Sequence, residues 1–276
     1  MKQVIFTDLD GTLLDFNDYS YSTVEPFLPK LEAQGIPVVF CSSKTREEQE
    51  FYRQALDNRH PFITENGSAI LIPTGYFSFD INQSLVLAYR VFQKEGYWVI
   101  LLGETYDAVR SAIEQAQELV GIKLWGYKDL SLEKIKELTG LAYDFAQRAA
   151  TRDYSETLLI GDKEGQPFDE FRAVLTERGF ACVSGGKFHT VMGAESDKGK
   201  AVNILTKLYR REFGAVKTIG LGDSPNDLPL LAAVDRGYLV QKPGGNWSET
   251  PESQVTKVNR VGPDGWVKVA NSIISV

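Results

Sequence analysis

Asp8 and Asp10 stand one residue apart in the run Asp8-Leu9-Asp10-Gly11-Thr12. In an extended segment their side chains leave the same side. Two carboxylates held so close repel unless a cation neutralises them or one takes a proton. A solvated Asp-Gly turn would use the same residues, but the run directly follows the apolar stretch 3–7, which favours a site. Gly222-Asp223-Ser224-Pro225-Asn226-Asp227 also follows an apolar stretch, 216–221. Hard oxygen ligands of this kind suit Mg²⁺. Capping of the next helix accounts for one of Ser224, Asn226 or Asp227, not for the whole set. Lys198, in Asp197-Lys198-Gly199-Lys200, opens a helix, where the positive helix end disfavours a cation unless an anion joins it. Ser42 and Ser43 end a further apolar run, 36–41.

The elements between these clusters alternate. Apolar runs at 3–7, 36–41, 61–64, 216–221 and 237–241 read as strands without polar alternation, so both faces are buried. Helical spacing over 24–34, 45–57, 198–213, 226–234 and 264–275 separates them. This order predicts an α/β fold, a doubly wound parallel sheet with helices on both faces. In such sheets ligands bind outside the carboxyl ends of the strands, where three of the four clusters fall. The middle reads differently, with a helix at 85–95, strands at 97–102 and 157–161, helices at 105–120 and 168–178, and a hairpin around Gly185-Gly186. We read it as an α+β unit, residues 83–190, inserted into a core of 1–82 and 191–276.

The 276-residue chain, 43% hydrophobic and 24% charged, is long enough for a sizeable core without disulfide staples. Its net charge of −7 disfavours sequence-independent nucleic-acid binding. No apolar run approaches a membrane span, and two cysteines in apolar runs match no zinc pattern. These features predict a soluble cytoplasmic protein. Only two histidines and no Gly-x-Ser-x-Gly argue against a serine hydrolase. Gly193 to Lys200 departs from a P-loop in its spacing and in Ala201.

Taken in order, Asp8-Leu9-Asp10-Gly11-Thr12, Ser42, Lys198 and Gly222-Asp223-x-x-x-Asp227 resemble the four motifs of the haloacid dehalogenase-like phosphatases. The inserted unit resembles the larger α/β cap of their sugar-phosphatase branch. More narrowly, Phe40-Cys41-Ser42-Ser43-Lys44-Thr45, Thr64-Glu65-Asn66-Gly67 and Asp197-Lys198-Gly199-Lys200-Ala201 resemble the mannosyl-3-phosphoglycerate phosphatase family.

The resemblance implies roles by position. Asp8 would be the nucleophile that forms an aspartyl-phosphate, and Asp10 the acid and base. Mg²⁺ would be held by Asp8, the Asp10 carbonyl and Asp223, with Asp227 assisting. Ser42 and Lys198 would bind phosphoryl oxygens. Ser43, Lys44, Asn66 and Asn226 would lie beside the substrate, and Lys187 and His189 of the cap would meet its glycerate carboxylate. Lys187 stands where arginine is more usual. Ordinary strand packing explains His189 equally well, and a solvated surface suits Arg148 and Arg152. The expected reaction releases phosphate and mannosylglycerate, a compatible solute, from a small phosphorylated sugar-glycerate. Glucosyl-3-phosphoglycerate, sucrose phosphate, hexose phosphates and a phosphomutase of the same fold remain open, as does the oligomeric state.

Overall fold

In chain order one large sheet takes β1 (Lys2–Thr7), β2 (Val38–Cys41), β3 (Phe62–Thr64), β4 (Ala69–Pro73), β5 (Arg90–Lys94) and β6 (Tyr97–Leu101). It resumes with β11 (Val216–Gly222), β12 (Arg236–Gln241) and β13 (Val255–Val261). Between them a smaller sheet takes β7 (Trp125–Gly126), β8 (Ser155–Leu159), β9 (Phe180–Gly185) and β10 (Phe188–Gly193). The computed structural model describes residues 1–85, 88–160, 165–185, 188–250 and 255–274.

The large sheet runs β13-β12-β11-β1-β2-β3-β4-β6-β5. The six strands from β13 to β3 are parallel, and β4, β6 and β5 extend the sheet by antiparallel pairing. Successive residues of β1 alternate between two cores. Ile5 packs with Leu28 and Leu31 of α1 (Leu28–Ala33), Tyr52 of α2 (Arg46–Ala55) and Trp266 of α10 (Gly262–Ile274). Val4 and Phe6 pack on the other face with Ile81 of α3 (Ile81–Leu85), Leu205 and Tyr209 of α8 (Lys198–Phe213) and Leu230 of α9 (Leu228–Ala232). Burial on both faces is why these strands read as unbroken apolar runs. β2 and β11 flank β1 on opposite sides, so the order reverses beside β1, as it does at a ligand-binding crevice of a doubly wound sheet.

The small sheet is antiparallel, in the order β7-β8-β10-β9. One face is covered by α4 (Tyr106–Val120) and α7 (Gln166–Glu177). Its other face meets α5 (Leu132–Thr139) and α6 (Tyr143–Ala150). β9 and β10 pair as the expected hairpin.

Two expectations change. The stretch 85–95, read as a helix of the inserted unit, contains the edge strand β5, and β5 and β6 belong to the large sheet. The inserted sheet therefore begins after Leu101, later than residue 83. The chain leaves the large sheet through Gly103 and returns through Gly193, and these crossings touch. A Cβ on Gly193 would lie 2.8 Å from the Glu104 nitrogen and 3.0 Å from the Gly103 carbonyl carbon.

Candidate active site

The carboxyl ends of β1 and β11 and the first turn of α8 converge on one buried amine. Lys198, 2% exposed, places its Nζ 2.7 Å from Asp8 Oδ1 and 2.6 Å from Asp227 Oδ1. Asp197 caps α8 by accepting from the Lys200 amide, which sets Lys198 as the first helical residue. Asp8, Asp223 and Asp227 each bring a carboxylate oxygen within 4.8 Å of the others, and all three are buried. Asp227 Oδ2 accepts from the Asp223 and Ser224 amides and from Ser224 Oγ, each at 3.1 Å. Both Asp227 oxygens are thus engaged in holding the loop and the lysine.

Three carboxylates against one ammonium leave a buried surplus of negative charge. Burial and then Asp227 lift the Asp8 carboxyl well above its usual range, against the pull of Lys198. Burial and Asp227 push Asp223 up to about 6. The same carboxylates hold Lys198 firmly protonated, against the cost of its burial. A divalent cation fits this donor set, since hard oxygens and uncompensated charge are what Mg²⁺ binds.

The loops after β2 and β3 close the opposite wall. Ser42 is fully buried, and its Oγ accepts from the Lys44 amide at 3.2 Å. The Asn66 amide donates to the Ser42 carbonyl at 3.0 Å, and the Asn226 side chain donates to Asn66 Oδ1 at 3.2 Å. Glu65, Asn66 and Gly67 are consecutive left-handed residues, with φ of 47°, 59° and 87°. Gly67 is needed twice, for its backbone and for space. A Cβ there would lie 2.6 Å from the Lys198 nitrogen. The loop therefore buttresses the start of α8.

The model of a family described as haloacid dehalogenase-like hydrolase matches residues 5–243. The chain belongs to the haloacid dehalogenase-like hydrolases. Among relatives of this hydrolase, a glucosyl-3-phosphoglycerate/mannosyl-3-phosphoglycerate phosphatase of Methanococcoides burtonii is 40% identical over 96% of this chain and 95% of its own. A mannosyl-3-phosphoglycerate phosphatase of Pyrococcus horikoshii is 38% identical over 87% of this chain and 91% of its own. The solved structure of a haloacid dehalogenase-like hydrolase from Bacteroides thetaiotaomicron shares the fold, with a TM-score of 0.66, 18% identity and coverage of 99% and 100%.

The remaining expected residues of the hydrolase separate. Asp10 keeps 37% of its side chain exposed beside the cluster, and Lys44 Nζ lies 3.0 Å from its Oδ1. Desolvation lifts Asp10, and Lys44 pulls it back. Ser43 turns its carbonyl to Arg152, which donates at 3.3 Å. Asn226 is exposed at the rim. Lys187 lies outside the described residues. His189 is not brought to the site. It packs against Phe168 at 4.8 Å and pairs with Ser184 Oγ, on the α4–α7 side of the cap sheet, while Phe188 beside it packs with Tyr127 on the α5–α6 side. Strand alternation puts neighbours on opposite faces, so the two could not both face the core.

Arg152 is also not solvated. It is buried between Ser155, the Ser43 carbonyl and Glu65, 3.6 Å away. Glu65, which the sequence reading passed over, is fully buried and accepts from the Asp153 and Tyr154 amides and from Ser155 Oγ. It joins core to cap. Its signal was the run Thr64-Glu65-Asn66-Gly67 itself, an acidic residue directly after a buried strand. Burial pushes the hydroxyl of Tyr127, on the cap, up to about 12, and Arg152 pulls it back.

Proposed function

We propose that this hydrolase is a divalent-metal-dependent phosphomonoesterase that converts mannosyl-3-phosphoglycerate to mannosylglycerate and phosphate, and that it takes the glucosyl analogue as well. Membership of the family and the named phosphatases at 37–40% identity support a phosphoric monoester hydrolase. The M. burtonii relative is named for both glycosyl substrates, which favours dual use. One observation carries the mechanism: Lys198 bridges Asp8 and Asp227 across a buried carboxylate surplus at the ends of β1 and β11.

Asp8 attacks phosphorus and forms the aspartyl-phosphate, a covalent route open to carboxylates. Lys198 neutralises part of the repulsion between the Asp8 carboxylate and the phosphate, and with Ser42 it takes up charge on the phosphoryl oxygens in the transition state. Asp10 gives a proton to the departing glycerate oxygen, then takes one from the water that opens the intermediate. Mg²⁺ would be held by Asp8, Asp223 and the Asp10 carbonyl, and when bound it neutralises the charge of the phosphate and the carboxylates. Asp227, with both oxygens engaged, orients Lys198 and the loop. Residues 104–192 act as the cap, and Asn66 and Asn226 meet the substrate at the rim. Among the described residues no helix is long and apolar enough to cross a membrane. Both cysteines are buried free thiols, and we place the enzyme in the cytoplasm, where thiols stay reduced.

The test is phosphate release from mannosyl- and glucosyl-3-phosphoglycerate, 3-phosphoglycerate, sucrose phosphate and hexose phosphates, each with Mg²⁺ and with EDTA. The proposal expects a Mg²⁺-dependent preference for the glycosyl-phosphoglycerates of about a hundredfold, roughly 2.7 kcal/mol in transition-state binding. Equal, shallow rates across the panel would discard the substrate, and rates indifferent to EDTA would discard the metal.

A further inference from the structure

Lys44 was expected to bind substrate, but its amine is already enclosed by the protein. It is 6% exposed, with Asp10 Oδ1 at 3.0 Å and Glu48 Oε1 at 3.3 Å. The Tyr19 ring covers it at 4.7 Å and the Tyr52 ring lies at 5.9 Å. Glu48 is itself fixed by a capping box at the start of α2. Its Oε2 accepts from the Thr45 amide at 2.9 Å, and its own amide donates to Thr45 Oγ1 at 3.2 Å. That leaves Oε1 aimed at Lys44. One ammonium thus already has two carboxyl groups of the protein as partners, Asp10 and Glu48, before any substrate carboxylate could reach it.

A buried lysine between two carboxylates is an expensive way to fill space, since desolvation of such groups rivals their attraction. The expense has a purpose if one partner must be aimed. A free aspartate turns about two side-chain bonds, whereas proton transfer needs its oxygen within hydrogen-bond reach of the leaving group. Lys44 lies 3.0 Å from Oδ1 of Asp10, the buried oxygen of that carboxyl, while 37% of the Asp10 side chain stays exposed and open to a leaving group.

We propose that Lys44 is a positioning residue that aims Asp10 at the leaving oxygen, rather than a ligand for the substrate's carboxylate. In the first step the Asp8 oxygen–phosphorus bond forms, the ester P–O bond breaks and the Asp10 proton passes to the departing alkoxide. The new Asp10 carboxylate stays paired with Lys44. In the second step water attacks phosphorus, releases Asp8, and returns a proton to Asp10. Lys44 remains protonated throughout. This inference rests on the reading of Asp10 as the acid.

The experiment compares kcat/KM, which covers the steps through leaving-group departure, for wild type, K44M, K44R and D10N. The substrates are mannosyl-3-phosphoglycerate, glycerol 3-phosphate (an alkyl ester without a carboxylate) and p-nitrophenyl phosphate, whose leaving group departs without a proton. K44M is expected to lose at least about tenfold more on both alkyl esters than on p-nitrophenyl phosphate, with KM changed by no more than about threefold, and K44R to recover most of the loss. Equal loss on all three substrates overturns the inference. A KM rise confined to the carboxylate-bearing ester also overturns it and returns Lys44 to substrate binding. If D10N shows no leaving-group difference, the reading of Asp10 falls, whereas a difference in D10N but not in K44M sinks the Lys44 role alone. Should K44M fail to fold, E48Q, which slackens Lys44, is expected to show the same alkyl-selective pattern at smaller size, and its absence counts against the inference.

Discussion

Two buried ionic clusters lie on either side of the loop after β3, and they are built on opposite principles. At the joint between core and cap, Glu65 meets Arg152, two backbone amides and the Ser155 hydroxyl. Burial lifts its carboxyl, but its neighbours chiefly pull the other way. At the corner where β1, β11 and α8 meet, burial lifts Asp8, and Asp227, Asp223 and Asp10 push in the same direction, with Lys198 alone among the main neighbours opposing them. A satisfied charge holds two parts together, whereas an unsatisfied one is held ready for something that is not protein.

Changes at the two clusters should therefore fail in different ways. Asp8→Asn removes the proposed nucleophile and part of the surplus charge. We expect kcat to fall by on the order of ten-thousandfold, about 5.5 kcal/mol of barrier, while the metal-free protein melts no lower than wild type. Loss of both activity and fold would place Asp8 with the structural charges. Glu65→Ala strands Arg152 at the joint. The expected cost is about 3–5 kcal/mol in denaturant unfolding, and a cost near zero would show that the joint is not held by charge.

A subtler contrast comes from pH. A carboxyl whose folded pKa stands above its unfolded value binds its proton more tightly when folded, so stability falls as pH rises through the folded value. For Asp223 that value is about 6. In EDTA, Asp223→Asn should therefore melt above wild type at a pH of about 7.5, with the gap narrowing below about 6 and closing only as pH nears the ordinary aspartate value of about 4. Excess Mg²⁺ should reverse the order. A gap that ignores pH would deny the surplus. The smallest effect is expected at His189, away from both clusters. His189→Ala should cost about 1–2 kcal/mol of stability and leave KM for the glycosyl substrate unchanged, and a raised KM would bring the residue back to the site.

That Asp8, Lys198, Asp223 and Asp227 would come together was largely legible in the sequence, because each follows a strand of unbroken apolar residues or opens a capped helix. Lys198 sits where the Asp197 cap predicts. The joint was not legible, because it is made of contacts between distant stretches. Nothing local to Arg152 reveals that Glu65, 87 positions earlier by number (152 − 65), will receive it. β5 was misread for a related reason. Its residues are half-exposed at a sheet edge, so they lack the apolar run that marked the inner strands, and only the pairing with β6 makes them a strand. His189 was assigned by motif where strand parity decides.

The touching crossings at Gly103 and Gly193 make the cap an excursion whose two ends meet. A segment that begins and ends at one place can be lengthened, shortened or exchanged with little change in the entropy of closing it. The scaffold that carries Asp8 and Lys198 is thus insulated from the history of what sits above it. Specificity in such a molecule can be inherited separately from chemistry, provided that each new lid still presents a partner for Glu65.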